Sequence, residues 1–219
     1  MNTSQRQKSK EKAKRFLIVL AVVFVVLLGL NVLSESGILL TLFTPKPDVS
    51  DPPYIYLYPA DYEEDIFEDE GYLQLERRIL YKDGAQSIYM ANENDYQRTG
   101  DLAMFFAAYF NAIVEGDAEA YNALLSKGYK KEHGEKTRFT MQKLYGIEIV
   151  YCDKYALDSS STPTTVYEFE VDYYIRMNNG TFRSDISSDT SRTQLYRLYQ
   201  NDISDEITLG EILEYIEKG

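Results

Sequence analysis

Three side chains that carry much protein chemistry are nearly missing from these 219 residues: there is one cysteine, one histidine and no tryptophan. The single cysteine, Cys152, excludes an intrachain disulfide, and the single histidine, His133, excludes a histidine-rich metal site. Proline is scarce as well; four of its six residues, Pro45, Pro47, Pro52 and Pro53, fall in one short stretch. Positive charge is in deficit, with 23 Lys and Arg against 35 Asp and Glu. From Asp48 onward the count is 16 basic against 33 acidic residues. Binding a phosphate backbone takes clustered Lys and Arg, so nucleic acid is not expected as a partner. What is plentiful is tyrosine, twenty of it, in a chain that is 44% apolar and 26% charged. That balance is globular, and the length suits one domain with appendages.

The exception to the acidic trend lies at the start. Residues 1–15 hold six basic side chains against Glu11 alone. Phe16 to Leu33 then reads FLIVLAVVFVVLLGLNVL, uncharged, with Asn31 as its one polar side chain. A helix of that length spans about 27 Å, close to the hydrocarbon thickness of about 30 Å. Its backbone groups bond internally, so it suits lipid. Basic flanks stay cytoplasmic, which predicts a single span with the N-terminus inside and the acidic body outside. Ser34 and Ser36, followed by Gly37, have the small-residue spacing of a cleavage site. The apolar run is longer than the about 7–15 residues of a signal peptide, which favours an uncleaved anchor over 16–36. The short apolar run ILLTLF, 38–43, is too short to cross again.

Residues 37–70 read as a Pro-rich and acidic stalk. Proline denies the backbone a donor and disfavours helix before it. Between Asp48 and Glu70 there is no basic residue. The acidic run lacks the alternating Asp/Asn pattern and internal Gly of a calcium loop, so a solvated, self-repelling linker is expected.

Residues 71–219 read as one α+β domain. A hairpin is predicted from 72–81 and 86–91, turning at Asp83-Gly84. Apolar residues from Leu102 to Val114 recur at helical spacing, predicting a helix that starts at Thr99 or Asp101 and ends at Glu115. Gly116 is placed to end it and Asp117 to cap a second helix over 118–125. A short helix over 137–144 and strands over 147–157, 165–177, 181–186 and 193–199 follow. Asn178-Asn179-Gly180 is read as a turn, and 209–218 as an amphipathic C-terminal helix. The sum is a curved antiparallel sheet on two or three helices, with an extra N-terminal hairpin.

The run FFAAYFNAIVEGDAEAYNALLS, Phe105 to Ser126, resembles the nuclear-transport-factor-2-like cone fold, also called SnoaL-like or ketosteroid-isomerase-like. The resemblance spans about 99–200. It implies helices wrapped by a twisted sheet, open at one end, where enzymes of the superfamily hold an acid or base beside a tyrosine. No residue here fills that role on sequence grounds. His133 lies in a polar loop, Glu168, Glu170 and Asp172 fall opposite the aromatic strand face, and Cys152 reads as a small buried residue without a basic partner. No catalytic, cofactor-binding or metal-ligating residue is assigned. Tyr173, Tyr174, Tyr196 and Tyr199 could form a sugar- or protein-binding face, but strand propensity and packing are the preferred reading, because alternation already accounts for many of the tyrosines.

Three functions follow. The first is a membrane-anchored, non-catalytic interaction or assembly domain with a protein partner or oligomer in the envelope. Its layout of tail, span and outer cone is similar to the assembly subunit of type IV secretion machines. The second is a cone that captures a small apolar ligand. The third is an anchored isomerase or hydrolase of the superfamily.

Overall fold

The computed structural model describes residues 58–157 and 163–214. The basic tail, the anchor at 16–36 with its cleavage alternative, the 38–43 run and Pro45, Pro47, Pro52 and Pro53 of the stalk lie outside the described residues. Among the described residues no helix is long and apolar enough to cross a membrane.

The domain is α+β, built on a six-stranded mixed sheet of order β2-β1-β3-β4-β5-β6. The strands are β1 (Ile79–Asp83), β2 (Gln86–Met90), β3 (Lys143–Ala156), β4 (Thr164–Arg176), β5 (Gln194–Asn201) and β6 (Ile207–Glu214). The expected hairpin forms over its second half, with Asp83 opposite Gln86 and Gly84 taking φ +55° at the turn. It is not an appendage. β1 runs parallel to β3, Tyr81 beside Ile149, so the sheet is mixed rather than wholly antiparallel. Lys82 and Glu148 pair at 2.6 Å across that seam.

Short helices α1 (Glu70–Leu73) and α2 (Glu93–Thr99) flank the hairpin in sequence. The main helix, α3, spans Asp101–Glu115 and buries Phe105, Phe106, Tyr109, Phe110 and Ile113 on one side. Gly116 ends it at φ +69°, and a Cβ there would meet the Met141 amide nitrogen at 2.8 Å. The Asp117 carboxylate accepts from the Ala120 amide and starts α4, Ala118–Ala123. Both halves of the expected Gly-Asp junction are present. α3 lies on the inner face of the sheet, with Phe106 edge-on to Phe169 at 5.0 Å and Phe110 edge-on to Tyr173 at 5.5 Å. Such edge-to-face pairs suit the ring quadrupole.

Several sequence expectations are corrected. No helix forms over 137–144. Ser126 instead caps α5, Lys127–His133, by accepting from the Tyr129 amide. Residues 181–186 are not a strand; they belong to a loop folded back on itself. The described part of 209–218 is strand, because residues 207–214 complete the sheet beside β5. Gly210 permits this, since a Cβ there would lie 2.4 Å from the Tyr199 ring. Leu209 also exchanges backbone bonds with Leu124 and Ser126 at 2.8 and 2.9 Å, which ties the end of α4 to the sheet edge.

The acidic run is not wholly a solvated linker either. Asp65 caps a 3-10 turn over Ile66–Glu68, and Asp69 caps α1. Ile66 and Tyr72 are buried. The Lys143 ammonium, itself almost fully buried, pairs with Glu64 at 2.6 Å and Asp69 at 2.9 Å. A buried cation needs such partners to offset its lost hydration. The bond from Lys143 in turn holds the Asp69 carboxyl below its usual pKa.

Candidate functional site

At one end of the inner face the aromatic layer changes character. α3 supplies Tyr109, α4 Tyr121, α5 Tyr129, β4 Tyr173 and β5 Tyr196. The Tyr109 and Tyr196 rings meet edge-on at 5.7 Å, and their hydroxyls bond at 3.2 Å. Tyr121 lies 5.5 Å from Tyr109. These rings line a recess of about 250 Å³ that opens beside β6, with Lys136, His133 and Glu214 toward its rim. Burial pushes the hydroxyl pKa values of Tyr109 and Tyr196 well above the ordinary 10 and raises those of Tyr121 and Tyr173 as well. These phenols therefore stay protonated and serve as hydrogen-bond donors and acceptors.

A loop between β4 and β5 brings an arginine into this wall. Met177 turns the chain at φ +53°. The buried Asn178 side chain donates to the carbonyls of Arg183 and Ile186 at 3.0 and 2.9 Å, and accepts from the Gly180 amide at 2.9 Å. That clasp sets Phe182 against Tyr121, 5.4 Å apart, and Arg183 over the Tyr173 ring, 5.2 Å from its centroid. Arg183 is 7% exposed. Its Nε and Nη2 donate to the two Asp185 oxygens at 2.9 and 2.8 Å, a bidentate pair. Burial works against both charges, yet this bond raises the guanidinium pKa and holds the Asp185 carboxyl below its usual value. Arg183 Nη1 is buried with no hydrogen-bond partner.

Lys136 lines the same recess. Its Nζ donates to the Phe182 carbonyl at 2.8 Å and lies 5.0 Å from the Phe182 ring centroid. Burial lowers its pKa, with Asp185 acting the other way.

Two other clefts are formed by described residues. One, about 440 Å³, lies between the hairpin and α3. Its Glu76 and Arg78 bond to each other at an exposed rim, and that bond holds the Glu76 carboxyl down to about 2. A cleft of about 230 Å³ runs along Lys143 and Arg176, whose charges face Glu64 and Asp69. The tyrosine recess is distinguished by a lining residue, Arg183, that carries a buried donor without a hydrogen-bond partner.

The sequence-singled residues scatter. His133 ends α5 with its ring 4.5 Å from Tyr129, at the recess rim. Cys152 is exposed on β3 rather than buried. Partial desolvation and the nearby Glu170 and Glu168 raise its thiol pKa. Glu168 is not simply solvated, since it accepts from Arg197 at 2.8 Å and from Tyr155 at 3.1 Å. Asp172 accepts from Ser191 at 3.3 Å, while its other oxygen is buried without a partner. The four tyrosines do not share a face. Tyr173 and Tyr196 are buried inward, whereas Tyr174 stacks on Tyr145 and Tyr199 bonds Glu211 on the opposite side. Arg183, Asp185 and Lys136 were not marked by the sequence; the one local signal is a charged pair set between the apolar Phe182 and Ile186. Among the described residues no three His, Cys, Asp or Glu side chains are grouped to hold a metal ion.

Comparison with protein-family models, with curated proteins and with solved structures returns no match for this chain.

Proposed function

We propose that the chain is a single-pass membrane protein whose α+β domain, held outside the cytoplasm, binds a small molecule in the tyrosine recess. The anchor is supported by the uncharged run Phe16 to Leu33 behind six basic residues. Helix, Gly-Asp junction, second helix and four successive strands, β3 to β6, support the likeness to the nuclear-transport-factor-2-like cone. The observation that carries the binding reading is the recess itself, concave and aromatic, with a few convergent polar groups. Binding is favoured over proton transfer because Asp185, the carboxylate beside the tyrosines, is pinned by Arg183 in its ionised form.

Two measurements test this. With tags at both termini, protease added to intact cells should remove the C-terminal tag and spare the N-terminal one; a protected C-terminal tag defeats the orientation. For the recess, small aromatic compounds are ranked by the melting temperature of the full chain in detergent, alongside Gln194→Phe, which narrows the opening. At least one compound should stabilise the wild type and not the variant. If every compound that acts does so equally on both, the recess is not the site.

A second reading, docking of a protein partner, is favoured by β2. This edge strand leaves Ile88 and Tyr89 41% and 50% exposed beside an unpaired backbone row.

A further inference from the structure

We propose that the recess beside Arg183 takes a small monocarboxylate with a flat apolar body, an aromatic carboxylate being the class that fits it best. The assignment rests on the recess being the binding site and goes on to say what binds there.

Arg183 is more than nine-tenths buried, and two of its three nitrogens are engaged by Asp185. The third, Nη1, is buried without an acceptor. Buried N–H groups are seldom left unanswered, and an oxygen arriving from a ligand removes that cost. Lys136 adds an ammonium whose one hydrogen bond goes to a carbonyl and which forms no ion pair among the described residues. Guanidinium and ammonium groups only donate, so Nη1 and the remaining Lys136 N–H groups are answered only by an acceptor, which a ligand oxygen supplies.

The charges then set the size of the anion. Two carboxylates line the recess. Asp185 is occupied by Arg183, and Glu214, at the exposed rim, faces Arg192 at 3.5 Å. Lys136 feels Asp185 only at a distance and has no ion pair of its own among the described residues, so the group of Arg183, Lys136 and Arg192 against Asp185 and Glu214 carries one net positive charge, which matches a monoanion better than a dianionic phosphate. A carboxylate also has the planar pair of oxygens that suits a guanidinium edge.

The walls set the body. The volume, about 250 Å³, falls just below the about 300–1,000 Å³ of sites for drug-sized ligands. Tyr121, Tyr129 and Phe182 present aromatic surface to it, and the bonded Tyr109 and Tyr196 hydroxyls close its base. A single ring with one carboxyl group meets each requirement.

Benzoate, benzyl alcohol and benzylamine place a negative, neutral or positive group on one ring, and serve as probes. Each is titrated into the full chain in detergent micelles. Binding is read by calorimetry and by tyrosine fluorescence, which no tryptophan obscures. Benzoate should bind at least tenfold more tightly than the other two. Arg183→Lys, which keeps the charge and removes Nη1, should weaken benzoate at least tenfold. Lys136→Met, at a half-buried position, should weaken it several-fold and keeps the test alive if the arginine variant misfolds. Equal binding of benzyl alcohol, or unchanged benzoate binding in Lys136→Met, overturns the carboxylate assignment while leaving the recess a binding site. If none of the three probes binds, both readings fall.

Discussion

The inner layer of this domain is aromatic along its whole length, but its two ends are chemically unlike. Around Phe106 the rings are mostly phenylalanine, Phe169, Phe105 and Phe110, with Tyr196 at 6.4 Å, and Phe106 is fully buried. One helical turn further along α3, Tyr109 meets Tyr196 and Tyr121, and hydroxyls appear together with the Arg183–Asp185 pair. A core made only for stability would gain little from phenol groups, because each buried hydroxyl must find a partner. The contrast teaches that one aromatic layer can hold a hydroxyl-bearing end, which must satisfy its polar groups, beside an end held by apolar packing.

The largest test of that contrast is alkali. Burial raises the pKa of Tyr109 and Tyr196 far above 10, and that of Tyr121 and Tyr173 above it. Below pH about 10 native and unfolded chains both keep these protons, and the stabilising contribution is intact. Above it the unfolded chain ionises first, so stability falls as pH rises. Tyrosinate absorbance from the buried rings and loss of circular dichroism should therefore appear together, in one transition. Smooth ionisation of these rings before unfolding would mean that water already reaches the polar end.

Truncation at the dry end comes next. Phe106→Ala should cost about 3–5 kcal/mol in urea denaturation, through lost transfer energy and an unfilled cavity. A cost below about 1 kcal/mol would show that Phe106 is not the centre of the layer. Exchanging the two characters is gentler. Phe106→Tyr adds a hydroxyl at a fully buried position and should cost about 1–3 kcal/mol. Tyr109→Phe gives up a hydroxyl bond and should cost only about 0.5–1.5 kcal/mol. If the two changes cost the same, the ends are not energetically distinct.

The smallest effect is at acid pH. Asp185 is held below the ordinary 3.8 by Arg183 in spite of its burial. Its contribution is present above pH about 4 and fades as pH falls through the depressed native value. Asp185→Asn should flatten the acid limb of the stability curve slightly; an unchanged slope would show that the pair contributes little.

What the sequence disclosed was local. α3, Gly116 and Asp117 could be read because helical spacing and caps act within a few residues. The Asp83-Gly84 turn was legible for the same reason. β6 was mistaken for a helix because Leu209, Ile212 and Leu213 also fit a helical stripe; what decides the matter is the neighbouring β5, far outside that window. The helix expected over 137–144 gives way to an extended approach to β3, whose first residues, Lys143 and Leu144, already pair with Arg176 and Ile175 of β4. The polar end was half visible. Tyr173 and Tyr196 drew attention, but as a surface with Tyr174 and Tyr199, whereas strand alternation sends the two pairs to opposite faces. Arg183 went unread since its placement depends on the Asn178 clasp, a set of side-chain bonds without periodicity.

The parallel seam between β1 and β3 governs the order in which the molecule can assemble. Sixty-six residues separate Lys82 from Glu148. A chain emerging from the ribosome completes the hairpin early, yet the hairpin has no sheet to join until the central strands have been made. Its outer rows of amides wait unpaired in the interval. Synthesis beyond residue 150 is thus the moment at which the first-made piece is captured by the last-made half.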